Sequence, residues 1–288
     1  MSSNILIIQE NGRHKENRNF RECFALQRAI RHNGANAEVW GLNHDNYSEE
    51  PDWQSYDLII NLENYDETGW VPSLSKVQTK KFLWSIDAHC RGIDVYTQTA
   101  NEGNYDLILE ATPEFLTENS IWFPNCYEDV LIKPLDIDPI HDVGFCGNVV
   151  NRGQILQTVA QNFNFKFDNF VIGDAMVEAV NSYKIHFNAN ISLDINYRNF
   201  ETMGCETLLL TSYNKHYEKL GLKDGENCLV YSSIEELIEK GNMALGDKEL
   251  RNRIAKNGYD IVKEKHTFKQ RAKTVLDILN GTYDEQSI

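Results

Sequence analysis

Two stretches hold the residue types that do chemistry on a charged ligand. In VGFCGNVVNRGQIL (143–156) an apolar strand runs into a loop with Gly144, Gly147, Asn148, Arg152 and Gly153, and a helix-like pattern follows. Glycines after a strand let backbone approach a phosphate, and a helix N-terminus adds partial positive charge. Arg152 adds a formal one; alternatively it is a solvated surface cation. In NYRNFETMGCETLLLTSY (196–213) Arg198 and Glu201 stand three residues apart, ahead of the small pair Gly204 and Cys205. A helix beginning near Asn199 would put Glu201 in its first turn, where the helix dipole favours a carboxylate. There Glu201 would accept hydrogen bonds from ribose hydroxyls, and Arg198 would reach phosphate or sugar.

A second group lies in the first half. Asp87 ends the run KKFLWSID (80–87), His89 follows it, and His14 lies in the loop ENGRHKENRNF. A carboxylate or imidazole at a strand end is a candidate general base for deprotonating an acceptor hydroxyl. Asp87 has the alternative of capping a helix, and His14 of being merely exposed. The loop is polar and basic for so acidic a chain, which makes Asn11, Arg13 and His14 candidate acceptor-binding residues.

These positions need a scaffold of strands ending at one edge. NILIIQ (4–9), AEVWGL (37–42), YDLIINL (56–62), KKFLWSID and YDLILEA (105–111) read as strands, with IWFPNC (121–126) as a short sixth element. Helix-length amphipathic segments separate many of them, as in a doubly wound α/β domain. The stretch around Pro134 and Pro139 reads as an interdomain linker, after which strands and helices alternate again. We therefore expect domains at 1–138 and 139–266, with 267–288 a last helix able to cross back to the first.

The length of 288 residues suits two α/β domains. A net charge of −15 repels polyanions, so nucleic acid is an unfavoured partner, although Arg13, His14, Lys15, Arg18 and Arg21 form a local basic strip. The six cysteines form no CxxC pair and no metal-ligand cluster, so no metal site is expected. No apolar run reaches the roughly 20 residues of a membrane span, and a cytoplasmic protein is expected.

The segments VGFCGNVVNRGQIL, SYKIHFNANI, NYRNFETMGCETLLLTSY, EKLGLKDGENCLVYSSIEEL and IAKNGYDIVKEKHTFKQRA span roughly 142–280. Together they resemble the C-terminal domain of GT-B glycosyltransferases, most specifically the CgeB-type family related to group 1 glycosyltransferases. The first half is similar only in general design. The resemblance implies GT-B architecture: two Rossmann-like doubly wound domains facing a cleft, the first for an acceptor and the second for a nucleotide-sugar donor. It implies metal-independent sugar transfer with no cofactor, from a donor that is most simply a UDP-sugar, to an unidentified glycan, protein or small molecule. On the family's pattern Glu201 holds the donor ribose, Arg152 neutralises the diphosphate, and Gly147 and Asn148 form the adjacent loop. Lys184 and Asn188 line the cleft, with Tyr183, Ile172 and Gly173 near the base. Many retaining relatives carry a second glutamate eight residues before Glu201, where this chain has Leu193 followed by Asp194. Two other readings are a catalytically silent nucleotide-sugar or glycan-binding module and a phage-type enzyme that glycosylates modified nucleic acid.

Overall fold

The structure, a computed structural model, describes residues 2–12, 14–63 and 69–284. The described chain divides into two compact units, 2–125 with 268–284, and 126–267.

In the first unit β1 (Asn4–Ile8), α1 (Glu22–His32), β2 (Asn36–Trp40), β3 (Leu58–Leu62) and β4 (Lys80–Ser85) follow in order. Then come α2 (Ala88–Arg91), α3 (Ile93–Gly103), β5 (Leu107–Glu110) and β6 (Ser120–Trp122). The strands form a parallel sheet in the order β2-β1-β3-β4-β5-β6. Near-continuous burial of ILII in β1 and LIINL in β3 is the pattern of strands covered on both faces. The helices α2 and α3 form in a stretch without a marked apolar period, because the polar AHCRGIDVYTQTANEG keeps only Ala88, Tyr96 and Ala100 buried.

In the second unit β7 (His141–Cys146), α4 (Gly153–Asn162), β8 (Phe165–Asp168), α5 (Asp174–Asn181), β9 (Tyr183–Asn188) and α6 (Tyr197–Gly204) lead to β10 (Leu208–Ser212). β11 (Leu229–Tyr231), α7 (Ile234–Gly246) and α8 (Lys248–Lys265) complete it, and its parallel sheet runs β11-β10-β9-β7-β8. The core between sheet and helices includes Val143, Phe145, Ile185, Phe187 and Leu210.

The boundary falls at 125/126 rather than at the expected 138/139. Residues after Cys126 are already held by the second unit: the Tyr127 ring packs on Gly204, where a Cβ would come within 2.5 Å, and the Leu135 N–H donates to Asn181 Oδ1 at 2.8 Å. The prolines lie inside that anchored stretch. The last helix, α9 (Phe268–Asn280), belongs to the first unit, where Arg271 donates to the carbonyls of Pro124 and Asn125 at 2.6 and 3.2 Å.

Candidate functional site

In the second unit the chemistry gathers where β7 ends and α4 and α6 begin. Arg152 is the N-cap residue of α4 and is only 7% exposed, which removes the surface-cation alternative. Its Nε donates to the carbonyl of Ala189 at 2.7 Å, tying the loop after β7 to the end of β9.

Arg198 reaches the same place from the first turn of α6. Its Nε donates to the Cys146 carbonyl at 2.8 Å and its Nη1 to Asn188 Oδ1 at 2.9 Å, with the guanidinium 4.6 Å from the Phe145 ring centroid. Burial, then the neighbouring charge of Arg152, pushes its pKa down to about 10, so it remains cationic near neutrality. Two guanidiniums in mutual repulsion at a strand end form a site that an anion would relieve.

Gly147 makes room for this arrangement. Its φ is +145°, and a Cβ there would lie 2.1 Å from Arg198 Nη2. The N–H of Gly147 donates to the Asp168 carbonyl at 3.1 Å, and the Asn148 side chain accepts from the Val150 N–H at 2.9 Å. Gly147 and Asn148 thus lie in the loop next to the arginines, where these hydrogen bonds shape the loop and the glycine provides space for Arg198.

α6 starts at Tyr197, so Glu201 lies in its second turn, not its first. It is half-buried, and its charge acts on Arg198 and on the Cys146 thiol, which places it near Arg198. Gly204, at the end of α6, is the seat of the Tyr127 ring.

Asn188 does not line an open surface. It is fully buried, with Oδ1 accepting from Arg198 and Nδ2 donating to Asn190, Asn199 and Thr211 at 3.0, 3.2 and 3.0 Å. Lys184 stands at the start of β9, opposite the start of β7, and its Nζ pairs with Asp142 at 2.6 Å. The arginines lie at the other end of these strands, because each strand residue advances about 3.3 Å. Lys184 is therefore removed from the site. Tyr183 starts β9 at the same far end, but its buried ring runs across Gly144 and its hydroxyl donates to Asp168, the register partner of Cys146 at the site end of the sheet. The Ile172–Gly173 loop does adjoin the end of β7, since Cys146 Sγ donates to the Val171 carbonyl at 3.5 Å.

Sequence reasoning missed His186. It is buried, its Nε2 accepting the Cys146 N–H at 3.1 Å and its Nδ1 bonding Thr202 Oγ1 at 2.7 Å. Burial, then the charge of Arg198, holds its pKa well below the usual imidazole range. A neutral ring thus fixes the strand end whose carbonyl holds Arg198. The signal available was His186 two residues before Asn188, on the same strand face.

In the first unit Asp87 follows β4 at the N-cap position of α2, and its side chain makes no capping hydrogen bond. His89 is half-buried on α2, and His14 is exposed at the start of a short 3₁₀ turn. Asn11 is tied to the end of β2, its N–H to Leu42 and its Nδ2 to Asn43 at 2.8 and 3.3 Å. Arg13 lies outside the described residues. Of the basic strip, Arg21 folds back, its Nη2 donating to the Glu10 carbonyl at 3.4 Å. Among the described residues no group of three or more His, Cys, Asp or Glu is placed to hold a metal ion.

A family described as glycosyl transferase-like matches residues 135–277. No curated protein matches the chain significantly in sequence. Among solved structures, T4 phage beta-glucosyltransferase superposes with a TM-score of 0.69 at 16% identity, covering 96% of this chain and 99% of that one. Sucrose-phosphate synthase from Thermosynechococcus elongatus gives 0.67 at 11% identity, covering 97% and 98%. Anabaena HepE, in complex with UDP, gives 0.65 at 10%, covering 97% and 100%. The chain has the GT-B fold, two Rossmann-like parallel-sheet units, and the family match with that fold supports a glycosyltransferase.

Proposed function

We propose that this protein transfers a sugar from a UDP-sugar to an acceptor hydroxyl, with the donor held by the second unit. The carrying observation is the convergence of Arg152 and Arg198 at the end of β7, with Glu201 one turn further along α6. The diphosphate lies against the two guanidiniums, which stabilise its growing charge as the glycosidic bond breaks. This takes the place of a bound cation, so transfer proceeds without a metal. Glu201 accepts hydrogen bonds from the ribose. UDP as the nucleotide draws support from Anabaena HepE, described with UDP, and from T4 beta-glucosyltransferase, described with UDP-glucose.

Asp87 removes the acceptor proton. A direct displacement with this base inverts the anomeric carbon, and Leu193, 41% exposed, offers no carboxylate for the alternative course. The acceptor is a neutral hydroxyl compound such as a glycan, because the charge of −15 opposes a polyanion.

A thermal-shift screen with UDP, GDP, CDP and ADP tests the donor site. UDP should raise Tm by mass action, and Arg152→Ala should remove the rise. A folded sample indifferent to all four nucleotides defeats the proposal. UDP binding without slow UDP-glucose hydrolysis would favour the silent binding module. Duplex binding that weakens steeply with salt would favour a nucleic-acid acceptor.

A further inference from the structure

Glu63 has features that are costly for a residue with no task. It directly follows β3, is 6% exposed, and is a non-glycine residue at a φ of +22°. Backbone strain and a desolvated carboxylate each oppose folding, and such features persist where surrounding contacts over-determine them. Here those contacts converge on one turn. Glu63 Oε2 accepts the Ile86 N–H, and both carboxylate oxygens accept the Asp87 N–H, at 3.3 and 3.2 Å. The Tyr96 hydroxyl donates to Oε1 from α3. The neighbouring strand end thus reaches across to grip the peptide units that carry Asp87.

Packing alone does not fix this carboxylate. Glu63 and Tyr96 line a cavity of about 420 Å³ together with Asn61, Arg91 and Tyr105. Hydrogen bonds therefore set its direction. Burial, then the charge of Glu63, raises the pKa of the Tyr96 hydroxyl, so it stays a donor. Asp87 follows β4 at the head of a four-residue helix, where its carbonyl accepts the Cys90 and Arg91 N–H groups at 2.9 and 3.1 Å, and its own N–H is the peptide group that Glu63 holds.

We propose that Glu63 is a positioning residue for Asp87: its carboxylate fixes the turn after β4 so that the Asp87 carboxylate is held ready for the acceptor. This rests on the reading of Asp87 as the base. Displacing a catalytic group by about 1 Å costs on the order of a hundredfold in rate. Glu63→Gln retains one acceptor oxygen for the turn but cannot grip it with two.

The test is release of UDP from UDP-glucose with water as acceptor, measured beside the UDP-induced rise in Tm. Asp87→Asn should slow hydrolysis, and Glu63→Gln should slow it about tenfold or more while leaving the UDP-induced rise unchanged. The double variant should be no slower than Asp87→Asn alone, since the two act as a unit. A wild-type rate in Glu63→Gln, or losses that multiply in the double variant, overturns the proposal. If Glu63→Gln does not fold, Tyr96→Phe, which removes one donor to Glu63, carries the same comparison with Asp87→Asn. An Asp87→Asn enzyme at full rate defeats the base assignment, and a wild type indifferent to UDP defeats the donor reading, each separately from Glu63.

Discussion

Arg198 and Gly147 illustrate how one residue's chemistry depends on another's absence of a side chain. The guanidinium occupies the space a Cβ would take, so the glycine is required by contact and by its φ of +145°. Gly147→Ala should destabilise the protein by about 1–3 kcal/mol through strain alone. It should also remove the UDP-induced rise in Tm by displacing Arg198, which denaturant melts with and without UDP will check. Arg152 and Glu201 were legible in the sequence because their types and loop positions match anion and ribose chemistry. His186 and the buried role of Asn188 were not, since a histidine or asparagine inside an apolar strand declares its partners only when neighbouring elements are placed.

At the scale of elements, β4 and β5 bring buried polar groups side by side. Ser85 and Glu110 are register partners at their carboxyl ends, and both are fully buried. Burial first pushes the Glu110 carboxyl up to about 7 from an ordinary 4.5, and Ser85 and the Thr112 N–H only partly oppose it. The folded state therefore holds a proton that the unfolded chain has released between these values. Stability from this group is fully present below about 4.5 and is lost as pH rises through about 7, at most about 3 kcal/mol. Glu110→Gln, neutral at every pH, should raise Tm relative to wild type at pH 8 and show little difference at pH 4, as paired melts across that range will report. Strand periodicity located β5, but it could not reveal that its last residue would be a desolvated acid. Lys184 shows the same limit: on the chain it is four residues from Asn188, and in the sheet it is at the opposite end.

For the whole molecule, the chain's last element completes its first unit. α9 buries Phe268, Ala272 and Val275, and Arg271 gives two hydrogen bonds to the segment 124–125 where the chain leaves that unit. Trp84 of β4 meets Phe268 edge-on, with ring centroids 6.2 Å apart. Ending the chain after Thr267 should therefore unfold the first unit, exposing apolar surface worth several kcal/mol. Hydrogen exchange should report lost protection in β1, β4 and α1, while protection in β7 and β9 persists. Uniform protection throughout would contradict that assignment of the last helix.

The sequence by itself determined two α/β halves, most of their strands and helices, and the segments bearing Arg152, Arg198, Glu201 and Asp87. Apolar period and glycine position are local properties, written into consecutive residues. Only the tertiary structure decided that Gly147 serves Arg198, that Lys184 is remote, that Gly204 seats Tyr127, and that Glu63 grips the turn of Asp87. Those facts depend on parallel strands, whose neighbours are distant in sequence and whose register sets which side chains meet.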